Sequence, residues 1–219
     1  MRIEEIVLAS TNRGKLAELR AMLAERGGRV GSVRMRGLDE FAPVAPAVED
    51  GPTLEENARA KALYYSRILG RYVLADDSGL EVDALGGAPG VHSARFAAPV
   101  PGDRAAQDRA NNRRLLGLLA GTPPDRRGAR FRCCLCLAGP QGILLEAQGR
   151  LEGVIAAAEQ GSNGFGYDPV FWAPQRGKTV ALLAAAEKNA ISHRGRALRA
   201  LGEKLEALLA TEGGGSGGR

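Results

Sequence analysis

Between Thr53 and Ala75 the sequence spells out a helix with both ends marked, followed almost at once by a buried strand. In TLEENARAKALYYSRILG, Thr53 and Glu56 form a T-x-x-E capping box. The threonine hydroxyl and the glutamate carboxylate each satisfy a backbone N–H that the first helical turn leaves open. Gly70 stands where a helix ends in the left-handed region. The apolar run in RYVLA then has the length of a short strand. A helix feeding a strand points to a sheet with helices packed on it, of α/β or α+β type. The strand is expected to end at Asp76 and Asp77, with EVDAL a second short strand beyond them.

The rest of the chain fits that class. EEIVLAS, Glu4 to Ser10, reads as a first strand, TNRG as a loop, and KLAELRAMLAERGG as a helix. Leu16, Leu19 and Leu23 give that helix an apolar stripe, and Gly27 and Gly28 stop it. A further helix is expected from Asp108 to Gly121, with Leu115, Leu116, Leu118 and Leu119 inward. ARFRCCLCLAG and GILLEAQGRLEG read as strands paired across GPQG. The last helix runs from about Ser192 to Ala210 on a stripe of Leu198, Leu201, Leu205 and Leu208 or Leu209. TEGGGSGGR has the composition of a disordered tail, so the expected organisation is a domain over 1–210 and a tail over 211–219.

Composition narrows the classes. With 219 residues, 44% of them hydrophobic, the chain suits one domain or a two-lobed unit. No apolar run approaches the roughly 20 residues that cross a bilayer, and MRIEEIVLAS reads as a strand and not as a secretory signal. Both point to the cytoplasm. Cys133, Cys134 and Cys136 crowd one strand, a spacing that makes neither a disulfide framework nor a usual zinc site, so they read as buried thiols. The net charge of +5 suits an anionic partner, while aromatics at 5% disfavour a platform for stacking single-stranded bases.

Four stretches read as polar loops and carry candidate chemistry. STNRGK, Ser10 to Lys15, lies where a strand meets a helix, a place where backbone N–H groups and the helix dipole attract anions; a simple N-cap is the plainer alternative. Asp76 and Asp77 follow a buried strand. Two acids there cost desolvation unless a cation compensates, and a hard cation such as Mg²⁺ takes carboxylate oxygens. Glu49 and Asp50 stand ready as further ligands. Alternation along a strand sends the two side chains to opposite faces, so the two acids are expected to have different jobs. GFGYDP, Gly164 to Pro169, offers flat Phe165 and Tyr167 faces and the Asp168 carboxylate to a base, or else a turn with two core aromatics. In EKNAISHRGRAL, with Ser192 as N-cap, His193 and Arg194 fall in the first helical turn, where cations oppose the dipole and a bound anion would favour them. Lys188 lies just upstream. RGKT at Arg176–Thr179 lacks the glycine a phosphate-binding P-loop requires.

Taken together, LASTNRGKLAEL, EDGPTLEENARAKA, LADDSGLEVDALGGAPGVHSARFA, GFGYDPVFW and EKNAISHRGRAL follow one another in the order found in the inosine/xanthosine triphosphate pyrophosphatase family, which the chain resembles from Leu8 to Leu198. That resemblance implies a two-lobed α/β fold with a long central mixed sheet flanked by helices and an active-site cleft between lobes. It implies Mg²⁺-dependent hydrolysis of ITP, dITP and XTP to monophosphate and pyrophosphate, cleansing the nucleotide pool. It also implies a cytoplasmic homodimer without stable nucleic-acid or membrane partners. On this chain it assigns phosphate binding to Ser10, Thr11, Asn12, Arg13, Gly14 and Lys15, metal binding to Glu49 and Asp77, and proton acceptance to Asp77. Ser78 then touches substrate, Phe165, Gly166, Tyr167 and Asp168 bind the base, and Lys188, His193 and Arg194 complete the contacts. Two other readings stand beside it: a nucleotide- or nucleic-acid-binding protein without catalysis, and a pyrophosphatase for modified pyrimidine nucleotides.

Overall fold

The computed structural model describes residues 3–10 and 12–213, with side chains for all of these but Arg13 and 211–213. Thr11, the Arg13 side chain and residues 214–219 of the expected tail lie outside the described residues. In chain order the strands are β1 (Glu5–Leu8), β2 (Arg34–Gly37), β3 (Val73–Val82), β4 (Gly128–Gly139), β5 (Gly142–Ile155), β6 (Phe171–Ala173) and β7 (Lys178–Thr179). The helices are α1 (Arg13–Ala24), α2 (Gly28–Gly31), α3 (Leu54–Leu69), α4 (Arg104–Leu118), α5 (Ala185–Ile191) and α6 (His193–Gly213). The strands are hydrogen-bonded in the order β2-β1-β3-β4-β5-β6-β7, a mixed α/β arrangement. β1 is parallel to both β2 and β3, whereas β6 is antiparallel to β5 and β7. Among the described residues no helix is long and apolar enough to cross a membrane.

The chain divides into two compact units, and the division falls inside β3, β4 and β5. The first unit takes the described residues up to Asp77, then Cys133–Gly149, then those from Arg194 onward. Its core is aliphatic: Leu16, Leu19 and Leu23 of α1 and Leu198, Leu201, Leu205 and Leu209 of α6 pack with Ile6 and Leu8 of β1 and Leu74 of β3. Cys133 joins that core, and Cys134 and Cys136 are buried too. The sequence stripes on α1 and α6 are therefore the buried faces. Helix α3 starts and stops where its caps require. Thr53 Oγ1 accepts the Glu56 N–H at 3.2 Å, and Gly70 closes the helix at φ +61°.

The second unit, Ser78–Arg132 with Arg150–His193, has its own core of Leu80, Val82, Leu115, Leu119, Phe131, Leu151, Ile155, Val170 and Phe171. Trp172 lies in β6, opposite Val154 of β5 and Thr179 of β7.

Four local expectations need correction. Asp76 and Asp77 do not terminate a strand: β3 runs unbroken through DDSGLEV, because Asp76 is compensated electrostatically and needs no turn to escape burial. α4 begins at Arg104, capped by Asp103, whose side chain accepts the Ala106 N–H at 3.0 Å. It turns Leu118 outward, 51% exposed, while Asp108, Asn111 and Asn112 go inward. The stretch EKNAI is the body of α5 and not a loop. Strands β2, β6 and β7 were not foreseen; they have four, three and two residues, too short to show a period.

Candidate functional site

The polar residues singled out by sequence fall into one set in each unit. In the first unit, Ser10 and Asn12 shape the entry to α1. Ser10 Oγ accepts the Asn12 N–H at 3.1 Å, and Asn12 Oδ1 accepts the Lys15 N–H at 3.2 Å as the helix cap. Asn12 is thus an N-cap, and Gly14 and Lys15 stand in the first turn of α1, half-buried. From there Lys15 Nζ reaches Asp76 Oδ1 at 2.5 Å.

Asp76 is the centre of this set. Its side chain is fully buried, and Arg194 Nε donates to its Oδ2 at 2.7 Å. Arg194, itself 2% exposed, gives Nη1 to Glu18 Oε2 at 2.5 Å. Cys133 Sγ lies 3.7 Å from Asp76 Oδ2. Burial alone would raise the Asp76 carboxyl; the Arg194 and Lys15 charges outweigh it and hold it well below the usual carboxylate range. Arg194 is locked in its charged form: burial opposes the charge, and Asp76 and Glu18 more than offset that. Two nitrogens of Arg194 are therefore engaged by carboxylates.

A second group adjoins it in the same unit. Lys61, buried on α3, gives Nζ to Glu49 Oε2 at 2.7 Å and to the Asp76 carbonyl at 3.3 Å. Asp77 is half-buried and pushed upward by desolvation; Lys61 and Lys15 oppose the rise, and Glu49 and Asp76 add to it. So the paired acids do differ, with Asp76 held as a carboxylate by two cations and Asp77 with a heightened proton affinity. Lys61 and Glu18 escaped the sequence reading. Lys61 could have been found, because it follows Leu54 and Ala58 at spacings of four and three and so lies on the inward face of α3.

Whether this set suits a divalent metal follows from its donors. Among the described residues no cluster of three or more His, Cys, Asp or Glu side chains forms a ready metal cage. Glu49 and Asp77 supply two carboxylates whose mutual repulsion contributes to the raised proton affinity of Asp77. The network holds three cations, Lys15, Lys61 and Arg194, against four carboxylates, Glu18, Glu49, Asp76 and Asp77. Mg²⁺ is commonly held by one or two carboxylates and completed by substrate phosphates and water. The donor set fits such an ion.

In the second unit the loop from Gly164 to Asp168 gathers the expected aromatic and acidic groups. Asp168 Oδ2 accepts the Phe165 N–H at 3.0 Å and the Lys188 ammonium of α5 at 2.6 Å, both side chains being buried. Lys188 Nζ also lies 4.5 Å from the centre of the Phe165 ring, a cation–π contact. Gly164 has φ +79°, and a Cβ there would collide with Asp168 Oδ2. The Tyr167 hydroxyl donates to the Ser93 carbonyl at 2.9 Å, so this ring belongs to the core, where burial raises its pKa. His193 opens α6, with its imidazole stacked on Phe131 at 4.8 Å and 17°, and Phe131 stacks in turn on Phe171 at 4.3 Å. Ser78 is half-buried in β3. This unit therefore brings Phe165, Asp168 and Lys188 together, anchors Tyr167 and fixes the plane of His193.

Comparison with known proteins adds a lineage. The model of the Ham1 family matches residues 6–204. The dITP/XTP pyrophosphatase of Exiguobacterium sibiricum is 49% identical over 207 residues, covering 94% of this chain and 98% of that one. The solved structure of the Staphylococcus aureus Ham1 protein superposes with a TM-score of 0.79 at 38% identity, covering 93% of this chain and 99% of that one. A HAM1 protein from Coxiella burnetii gives 0.78 at 39% identity, over 93% and 98%.

Proposed function

This chain belongs to the Ham1 family, and from that premise we propose that it is a nucleoside triphosphate pyrophosphatase hydrolysing dITP, XTP and ITP to the monophosphate and pyrophosphate. The observation that carries the reading is the pair of adjacent acids set among Lys15, Lys61 and Arg194, with Glu49 held on Lys61.

In this reading Asp77, half-buried at the end of the charged network, orients the attacking water and takes its proton. Lys15, steadied by Asp76, presents an ammonium to phosphate oxygens at the start of α1, where the helix dipole has the same sign. Lys61 holds Glu49 in place, and Glu49 and Asp77 are the groups that would hold Mg²⁺. The ion, when bound, would neutralise charge developing on the phosphates.

The base falls to the second unit. A hypoxanthine or xanthine edge presents a 6-oxo acceptor beside an N1–H donor, the complement of an ammonium beside a carboxylate. Lys188 and Asp168 are such a pair, and the Phe165 ring supplies a flat face. Adenine reverses both groups and would set a donor against the ammonium and an acceptor against the carboxylate, a mismatch of the kind that discriminates strongly. The proposed setting is a cytoplasmic homodimer that cleanses the nucleotide pool, without stable nucleic-acid partners. Pyrophosphate release should be measured for ITP, dITP, XTP, ATP, GTP and dUTP with and without Mg²⁺. The expected result is Mg²⁺-dependent release, fastest for the first three. Orthophosphate release, or equal rates for ITP and ATP, would reject the proposal.

A further inference from the structure

Helix α4 turns an unusual face inward, with Asp108, Asn111 and Asn112 buried beside Ala110 and Leu115. Buried polar groups are costly unless they hold something. Asn111 accepts the Ala97 N–H at 2.8 Å and donates to the Ser93 carbonyl at 3.3 Å. The other two converge on the backbone of a single residue elsewhere in the chain, one on each of the peptide units that flank it. Asp108 Oδ2 accepts the Gly166 N–H at 2.9 Å, and Asn112 Nδ2 donates to the Gly166 carbonyl at 3.1 Å. Being four apart on a helix, the two side chains share one face. Arg104 Nε holds the other oxygen of Asp108 at 2.8 Å.

Gly166 sits at φ +63°, where side-chain-bearing residues are rare. Both of its polar backbone groups are therefore satisfied by α4. Asn112 Oδ1 is buried without a hydrogen-bond partner among the described residues. A leucine would avoid that desolvation cost but would strip the Gly166 carbonyl of its donor, so the asparagine is held here by its bond to Gly166.

We propose that Asp108 and Asn112 are positioning residues that clamp Gly166 and thereby set the selectivity of the Gly164–Asp168 loop between purine edges. The inference rests on the reading that this loop receives the base. It is tested with Asp108→Ala and Asn112→Leu, alongside Asp108→Asn, which keeps an acceptor for the Gly166 N–H. Asn112→Ser serves if the leucine variant does not fold. The readouts are kcat/KM for ITP and for ATP, the thermal midpoint, and amide exchange at Gly166 and its neighbours. The ITP-to-ATP selectivity should fall about tenfold in the first two variants, chiefly through KM for ITP, and stay near wild type in Asp108→Asn. Exchange at Gly166 should accelerate in step. A lowered midpoint with unchanged selectivity and unchanged exchange at Gly166 would mean that the two residues only support the fold. Absence of ITP turnover in the wild type would reject the substrate reading instead, and exchange at Gly166 would still decide for or against the clamp.

Discussion

The two units order their candidate side chains by different means. The first does it with charge. Asp76, Lys15, Arg194, Glu18, Lys61 and Glu49 hold one another through ion pairs between side chains far apart in sequence, and several members are buried. The second does it with backbone. Its loop is shaped by two glycines in the left-handed region and fastened through the backbone of Gly166, with one ion pair, Asp168–Lys188, inside it. A buried charge network is intolerant, because removing one member strands another in a medium that cannot solvate it. A loop fastened at its backbone resists changes in φ and in the two side chains that hold Gly166.

The contrast is sharpest at the paired acids. Asp77→Asn should cut turnover by about 10²–10⁴-fold, the usual worth of a general base, with little change in the urea midpoint. Retained pyrophosphate release would move the chemistry away from Asp77. Asp76→Asn should instead lower stability by about 3–5 kcal/mol, because it strips Arg194 and Lys15 of their carboxylate. A urea midpoint equal to wild type would break the claim that charge orders this unit. In the second unit, Gly166→Ala should cost about 1–2 kcal/mol for backbone strain alone, since nothing lies near the new methyl group. Gly164→Ala should cost more, because its methyl group takes the place of Asp168 Oδ2. Equal losses would mean that the ion pair yields freely. The smallest effect is expected at Cys136, whose thiol burial pushes up to about 12, with Glu146 adding and Arg59 partly opposing. At pH 8 a thiol reagent should leave it unmodified in the native protein and label it after unfolding, as mass spectrometry would show.

These contrasts also explain what the sequence revealed. Helix α3 was readable from its two caps, and the stripes on α1 and α6 from their spacing, because those signals are local. The continuity of β3 was not readable. An Asp-Asp-Ser-Gly run resembles a turn, and the charges that keep it in a strand come from Lys15 and Arg194, 61 and 118 residues away. Helix α4 misled for a related reason. Leu115 and Leu119 do face inward as their spacing suggested, but Leu118 does not, and Asp108 and Asn112 are drawn inward by Gly166, more than fifty residues away. The candidate residues were visible as residue types; their pairings with one another were tertiary and invisible.

The single tryptophan of the chain stands at Trp172 in β6, within the second unit. Its fluorescence is consequently a one-sided reporter. Followed alone, a denaturation curve would register the environment of β6 and miss any loosening confined to α1, α3 and α6. Recorded beside circular dichroism, which weighs those helices heavily, the same emission would reveal whether the two units unfold as one cooperative system or in turn.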